Sequence, residues 1–116
     1  MMQTKLFQMG LLVTVAGGGV HALQIFQTGK IVDLVICELK MPIKDGLDVV
    51  RHLRSNFIQI PVIMTSNTPD RERVIAVAQM GVTDILVKPI RQAELVKLVK
   101  AKLSLDIEDS GSQQAA

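Results

Sequence analysis

The chain has 116 residues, of which 48% are hydrophobic, and this length suits one domain with a three-layer core rather than two domains. Its formal net charge is only +2, the basic residues are spread along the sequence, and Trp and Tyr are absent, so we do not expect it to bind nucleic acid. Cys37 is the only cysteine, and no apolar run approaches the length of a membrane span, about 20 residues, so we expect a cytoplasmic protein without a membrane segment.

Hydrophobic patterning and turn residues predict helices and strands in alternation. The predicted helices cover residues 1–9, 20–27, 46–55, 69–80 and 91–105. The predicted strands cover residues 11–16, 32–37, 62–65 and 84–87. Asp45 is the expected N-cap of the third helix, and Gly10, Gly29 and Gly81 are expected to end the helices that precede them.

This alternation predicts an α/β fold, a three-layer, doubly wound parallel sheet with helices on both faces. We expect the domain to cover residues 1–105 and residues 106–116 to form a disordered polar tail.

The stretch from Val32 to Gly46 is the most informative part of the sequence. Its apolar run is too short for a helix and ends in Glu38, after which Met41-Pro42 and Asp45-Gly46 mark a loop. Open parallel α/β sheets bind their ligands at the carboxyl ends of their strands, so Glu38 is the first candidate for a functional side chain. The alternative is a strand-end carboxylate that is satisfied by its neighbours and has no further role.

Several separated motifs together resemble those of response-regulator receiver domains. They are residues 33–38 (Asp-Leu-Val-Ile-Cys-Glu), Met41-Pro42, Asp45-Gly46, residues 61–66 (Pro-Val-Ile-Met-Thr-Ser), Gly81 and Lys88-Pro89. The likeness extends over residues 1–104 and implies the flavodoxin-like receiver fold without its usual first strand.

The resemblance implies roles for four residues. Glu38 stands at the position of the phospho-acceptor aspartate, Ser66 at the hydroxyl that binds the phosphoryl group, and Lys88 at the lysine that pairs with it. Ile85 stands at the position of the switch aromatic. The implied function is a single-domain signalling module of a phosphorelay or two-component system, a binding protein rather than an enzyme.

Three departures from the family pattern predict a pseudo-receiver. Receivers hold Mg²⁺ with an acidic pair, but no Asp or Glu precedes Asp33, and Glu38 with the Lys40 carbonyl is a poor ligand set, so we expect no metal unless an acidic pair lies upstream. Glu38 is one methylene longer than aspartate, which displaces the nucleophilic oxygen. Ile85 lacks the aromatic ring, and Asn67 places a larger amide beside the site.

The resemblance also suggests where a protein partner binds. The expected surface is formed by residues Asp70–Gly81, Asp84–Val87 and Arg91–Leu105, and the partner would be a histidine kinase or an output protein. The alternative for the lysines of the last helix is a solvated face without a partner. Beyond a protein partner, we expect no nucleic acid and no membrane.

Two other interpretations fit shorter patterns. Gly17, Gly19 and Ala22 match the G-x-G-x-x-A fingerprint of nucleotide-binding oxidoreductases, with Glu38 near the usual distance for a ribose-binding acid. The pattern is short, and a permissive strand-to-helix turn also explains it. An export signal is the other alternative, because Lys5 precedes an apolar stretch and small residues follow it.

The start of the sequence raises a structural question, because in receivers the first strand lies between the strands predicted here at residues 11–16 and 32–37. We expect one of three arrangements. The sequence is a fragment of a longer receiver, which on its own has no function, or the two strands pair directly in a closed four-stranded sheet, or a second copy covers the gap in a homodimer.

Overall fold

The computed structural model describes residues 2–56, 59–67, 70–82 and 84–103, which form five helices and three strands. The helices are α1 (Met2–Gln8), α2 (Gly19–Gln27), α3 (Gly46–Ser55), α4 (Arg71–Gln79) and α5 (Gln92–Leu103). The strands are β1 (Val35–Glu38), β2 (Val62–Ser66) and β3 (Asp84–Val87). Within these ranges no helix is long and apolar enough to cross a membrane.

The three strands form one parallel sheet in the order β1-β2-β3. Val35 is level with Val62 in β2, and Ile63 is level with Asp84 in β3. All five residues of β2 are buried, as expected for a central strand that is covered on both faces. The predicted three-layer α/β fold with a parallel sheet is therefore confirmed.

Successive residues of β2 point to opposite faces of the sheet and belong to two separate cores. Val62 and Met64 join the larger cluster, which includes Leu39 and the buried residues of α3 and α4, with α2 packed against it. Ile63 joins the second cluster, which is formed mainly by α5 and α1. The sheet is thus sandwiched between α2, α3 and α4 on one side and α1 and α5 on the other.

Local sequence signals explain where the helices begin and end. Asp45 caps α3 in a capping box: its side chain accepts a hydrogen bond from the Asp48 N–H, and the Asp48 side chain accepts one from the Asp45 N–H. Asp70 caps α4 by accepting a hydrogen bond from the Arg73 N–H. The glycines expected to end helices α1, α2 and α4 have positive φ angles, as this position requires.

The predicted strand at residues 11–16 does not form. Leu12 is completely exposed, Val13 and Val15 are also exposed, and no strand of the described chain lies between this segment and β1. An isolated extended segment cannot pair its N–H and C=O groups, so β-branched composition alone does not stabilise it. The closed four-stranded sheet, one of the three expected arrangements, is therefore wrong, and the described residues form a sheet of three strands.

Smaller differences concern element boundaries. The strand predicted at residues 32–37 begins three residues later, at Val35, and includes Glu38 as its last residue. Helix α4 begins at Arg71, after the N-cap Asp70. Pro69, the expected first helical residue, lies outside the described residues, as do residues 104–116, which include the predicted tail.

Candidate functional site

The carboxyl ends of the three parallel strands lie along one edge of the sheet, and this edge carries the side chains singled out in the sequence. Glu38 is the last residue of β1, Ser66 is the last residue of β2, and Lys88 directly follows β3. The Lys88 N–H donates a hydrogen bond of 2.8 Å to the Ser66 carbonyl, and the Leu39 N–H donates one of 2.8 Å to the Thr65 carbonyl. These backbone bonds extend the ladder past the strand ends and hold all three positions in register.

Glu38 and Lys88 meet across the end of the central strand. Lys88 Nζ donates a hydrogen bond of 2.6 Å to Glu38 Oε1. The Glu38 side chain is 46% exposed and that of Lys88 is 32% exposed, so solvent reaches the pair at this edge of the sheet. A charge-assisted bond of this length fixes both side chains in one arrangement.

The other two sequence candidates occupy different environments. Ser66 is buried at the end of β2, on the edge between Glu38 and Lys88. Ile85 is half-buried and packs against the larger core cluster, on the side of the sheet that α3 and α4 cover. The structure therefore brings Glu38, Ser66 and Lys88 to one edge, whereas Ile85 contributes to the core.

The loop that follows β1 is pressed against the strand end. The Gly46 N–H donates a hydrogen bond of 3.1 Å to the Leu39 carbonyl. A Cβ atom at Gly46 would lie 2.5 Å from the Glu38 carbonyl oxygen and 2.9 Å from Met64 Sδ. Only glycine allows this approach, so Gly46 sets the position of the first turn of α3 relative to Glu38.

Arg73 is a residue of this region that the sequence did not single out. Its Nε donates a hydrogen bond of 2.9 Å to Asp45 Oδ2, and its Nη1 donates one of 2.6 Å to Asp70 Oδ2. The spacing of Asp70 and Arg73, three residues apart on one helix, is a signal that the sequence contained. The contact with Asp45 spans 28 residues and could not be found without the fold.

Two groups near the site have perturbed acid–base properties. Burial alone would raise the pKa of Asp45, but the hydrogen bonds from Arg73 and from the Asp48 N–H, with the charge of Arg73, lower it below its usual range. Burial raises the pKa of the Cys37 thiol to about 12, and the charges of Asp45 and Glu38 add to this effect. Asp45 is therefore ionised at neutral pH, and Cys37 is an unreactive thiol.

The described residues do not suit a Mg²⁺ ion. Nowhere in the ranges that the structure describes do three His, Cys, Asp or Glu residues come together in a way that could hold a metal. Glu38 Oε1 is already bonded to Lys88. Mg²⁺ requires a nearly octahedral set of oxygen ligands, which one carboxylate and the Lys40 carbonyl do not supply.

Among the glycines at residues 17–19, Gly19 has a packing role. A Cβ atom at Gly19 would collide with the Lys44 carbonyl, so α2 can approach the loop after β1 only with glycine here. The Gly17 N–H donates a hydrogen bond of 2.9 Å to His21 Nδ1. The dinucleotide fingerprint requires a strand directly before these glycines, and residues 11–16 do not form one.

Comparisons with known proteins agree on one family. A sequence model described as "Response regulator receiver domain" matches residues 1–100. The protein named Regulator of RpoS from Escherichia coli K12 is 34% identical over 83 residues, which make up 72% of this chain and 24% of that protein. The chain thus spans about a quarter of the length of this curated relative.

Solved structures show the same fold. The Francisella response regulator 1452 receiver domain is similar with a TM-score of 0.74 and 32% identity, over 85% of this chain and 81% of that one. The receiver domain of the sensor histidine kinase PA1611 from Pseudomonas aeruginosa PAO1, solved with magnesium in its active site cleft, is similar with a TM-score of 0.76 over 90% of this chain and 86% of that one. Its identity is only 23%, so that likeness concerns the fold.

Proposed function

We propose that this chain, which belongs to the response regulator receiver domain family, is a pseudo-receiver of a two-component signalling system in which Glu38 supplies a fixed negative charge. The observation that carries the proposal is the 2.6 Å bond between Lys88 Nζ and Glu38 Oε1. It holds a carboxylate beside the lysine that the family resemblance assigns to a phosphoryl group. The chain would then signal through binding rather than by catalysis.

The charge at Glu38 can imitate a phosphoryl group only in part. An aspartyl phosphate carries nearly two negative charges and three acceptor oxygens at neutral pH, whereas a carboxylate carries one charge and two oxygens. One of these two oxygens already accepts the bond from Lys88. The mimic is therefore weaker than a phosphorylated receiver but permanent.

Two features argue against phosphoryl transfer to Glu38. Its extra methylene moves the nucleophilic oxygen from the aspartate position, and an error of about 1 Å in positioning can reduce a rate about a hundredfold. The described residues also supply no suitable set of ligands for Mg²⁺. We expect any such transfer to be very slow.

Mass spectrometry of the intact chain tests the proposal directly. The protein is incubated with a small acyl phosphate and Mg²⁺, with Glu38→Gln as the matched control, and we expect both chains to remain unmodified. Substantial phosphorylation of the chain without the substitution, at Glu38 or elsewhere at this edge, would contradict the proposal. Partner binding by Glu38→Gln then separates charge from shape, because glutamine is nearly the same shape as glutamate and carries no charge.

The proposed partner surface is the face formed by α4, β3 and α5, that is, residues Asp70–Gly81, Asp84–Val87 and Arg91–Leu105, of which residues 104 and 105 lie outside the described ranges. Ile75 on α4 and Val87 on β3 are exposed apolar side chains on these elements. Lys97 is exposed on α5, and within the described chain neither it nor Lys100 forms an ion pair. A histidine kinase or an output protein is the proposed partner.

Charge reversal on α5 tests this surface. We expect Lys97→Glu together with Lys100→Glu to weaken binding to the cognate partner, and each of the two single variants is compared with Lys30→Glu, exposed after α2, which makes the same change in net charge as one of them. Equal binding by the double variant and by the unmodified chain would show that this face is the wrong one. Because Ile85 packs into the core and has no ring, we expect binding to depend little on the state of Glu38.

A homodimer remains a further proposal for β1, an outer strand of the sheet that the described residues form. The N–H groups of Val35 and Leu39 point towards β2, where they donate hydrogen bonds to the carbonyls of Pro61 and Thr65. Because backbone groups alternate in direction along a strand, those of Ile36 and Glu38 point to the opposite side. Such an edge can pair with a second chain. Light scattering on the purified chain distinguishes a monomer from a dimer.

A further inference from the structure

Arg73 connects the first turns of α3 and α4, two helices that lie on the same face of the sheet. We infer that Arg73 is a positioning residue that ties the N-cap of α3 to the N-cap of α4 and so keeps the start of α4 in one arrangement, independently of Glu38. The inference concerns the conformation of this edge and does not depend on whether the chain is a pseudo-receiver.

The two carboxylates that Arg73 contacts are both helix N-caps. In each, one oxygen accepts the cap hydrogen bond and the other accepts a hydrogen bond from the Arg73 guanidinium. Asp45 Oδ1 accepts the Asp48 N–H of α3 at 3.2 Å, and Asp45 Oδ2 accepts Arg73 Nε at 2.9 Å. Asp70 Oδ1 accepts the Arg73 N–H of α4 at 3.2 Å, and Asp70 Oδ2 accepts Arg73 Nη1 at 2.6 Å. One guanidinium therefore joins two caps without displacing either cap hydrogen bond.

The geometry requires arginine. The planar guanidinium presents several N–H groups at fixed angles, so two of its nitrogens can reach two separate carboxylates, whereas the lysine ammonium is a single point charge on a flexible stem. The Asp45 side chain is only 11% exposed and that of Arg73 is 35% exposed, so solvent screens the first contact only in part. The bridge is thus a specific contact and not a chance pairing of two surface charges.

The Arg73 bridge joins segments that follow shortly after the ends of β1 and β2 in the sequence. Asp45 precedes Gly46, whose first helical turn is pressed against the Glu38 carbonyl. Asp70 is four residues beyond Ser66. The start of α4 can move away from the loop after β1 only if the Arg73 contact with Asp45 breaks.

At neutral pH, the charges around Arg73 favour its contacts with Asp45 and Asp70. The side-chain and backbone hydrogen bonds from Arg73 lower the pKa of Asp70, and Lys40 adds a smaller effect of the same sign. The pKa of Asp45 is also below its usual range despite burial, and the pKa of Arg73 is raised, chiefly by Asp70 and then by Asp45. The remaining neighbour is Asp48, which bonds to the Asp45 N–H and pairs with Arg51 at 3.5 Å.

Native-state hydrogen exchange, measured by NMR, tests the inference. The two backbone N–H groups followed are those that donate to the caps, at position 48 in α3 and at position 73 in α4. In Arg73→Gln we expect exchange at both positions to become about fivefold faster, the effect of losing a partly exposed ion pair. Arg51→Gln is the matched control, because the ion pair that Arg51 forms among the described residues is with Asp48, within α3, and does not reach α4. Glu38→Gln should leave both amides unchanged. Unchanged exchange in Arg73→Gln, or a change at only one helix, would overturn the inference.

A second measurement separates bridging from mere packing of the arginine stem. In Arg73→Gln the carboxyl pKa values of Asp45 and Asp70, followed by ¹³C NMR, should rise together, whereas Arg73→Lys should recover one of them at most. If Arg73→Gln does not fold, Asp70→Asn serves instead, because asparagine is an equally good N-cap but removes one charged end of the bridge. Asp70→Asn should then leave the cap intact and accelerate exchange in the first turn of α3. Exchange there at the rate of the unmodified chain would refute the bridge.

Discussion

Lys88 Nζ lies 2.6 Å from Glu38 Oε1, and this bond joins the ends of the two outer strands across the central one. Residues at the ends of β1 and β3 would otherwise be linked only through β2. The pair therefore forms a side-chain bridge at this edge of the sheet, and its strength can be measured.

We expect a double-mutant cycle of Glu38→Gln and Lys88→Met to give a coupling free energy of unfolding of about 0.5–1 kcal/mol, because both side chains are partly exposed. Urea denaturation of the four proteins measures it. Glu38→Gln combined with Lys97→Met is the control and should be additive, since Lys97 lies on α5 and does not contact Glu38. Additivity of Glu38→Gln and Lys88→Met as well would contradict a held pair.

Gly46→Ala should destabilise the protein by about 1–3 kcal/mol, because the added methyl group would overlap the Glu38 carbonyl and Met64 and force the first turn of α3 to shift. The free energy of unfolding from urea denaturation measures this change. Gly18→Ala is the control: a Cβ there meets nothing within 4 Å and the residue has an extended φ of 171°, so its cost should be about 0.5 kcal/mol or less. Equal costs for the two substitutions would show that the close approach at Gly46 is not real.

Leu12→Ala should leave the free energy of unfolding unchanged within about 0.5 kcal/mol, because this side chain is completely exposed. Leu53→Ala, in the larger core cluster, should cost about 2–5 kcal/mol. Thermal or urea denaturation compares the two. A loss at Leu12 as large as that at Leu53 would mean that residues 11–16 form a buried strand in solution.

The lowered pKa of Asp45 predicts acid sensitivity. A carboxylate whose folded pKa lies below its unfolded value of 3.8 stabilises the fold fully above that value, and the contribution is lost as the pH falls from 3.8 through the folded pKa. We expect the free energy of unfolding to fall over this range, and to fall less steeply in Asp45→Asn, which keeps the cap but cannot titrate. Identical pH profiles for the two proteins would exclude this contribution of Asp45.

The Cys37 thiol should be nearly inert in the folded protein. With its pKa at about 12, only about one thiol in ten thousand is ionised at pH 8, and the thiolate is the reactive form. Alkylation by iodoacetamide should therefore be at least about a hundredfold slower than in urea-unfolded protein. Mass spectrometry follows the modification, and equal rates in both states would show that the site is open to solvent.

Much of this architecture is local and was therefore readable from the sequence. Asp45 was identified as a helix cap because a carboxylate before an apolar helical pattern satisfies free N–H groups of the first turn. Glu38 was singled out because open parallel sheets bind ligands at the carboxyl ends of their strands, whereas Ser66 and Lys88 were assigned to the same site by the family resemblance. Their roles in signalling remain proposals.

The failure at residues 11–16 shows the limit of such local signals. Leu-Leu-Val-Thr-Val-Ala has the composition of a strand, but a strand exists only if a neighbour accepts its hydrogen bonds, and in the described chain none is adjacent. The position of Ile85 shows the same limit. The register of β3 decides which face of the sheet its side chain occupies, and on that face it packs against the larger core cluster.

The sequence by itself determined the order of the five helices and of three of the strands, the cap of α3 and the position of Glu38 at a strand end, since each follows from patterns within a few neighbouring positions. Only the tertiary structure decided which distant groups meet. Glu38 and Lys88 are 50 residues apart, and Asp45 and Arg73 are 28 apart, yet each pair is in hydrogen-bond contact. Such contacts depend on how strands and helices from separate parts of the chain pack together. The residues next to a side chain in the sequence do not reveal this packing.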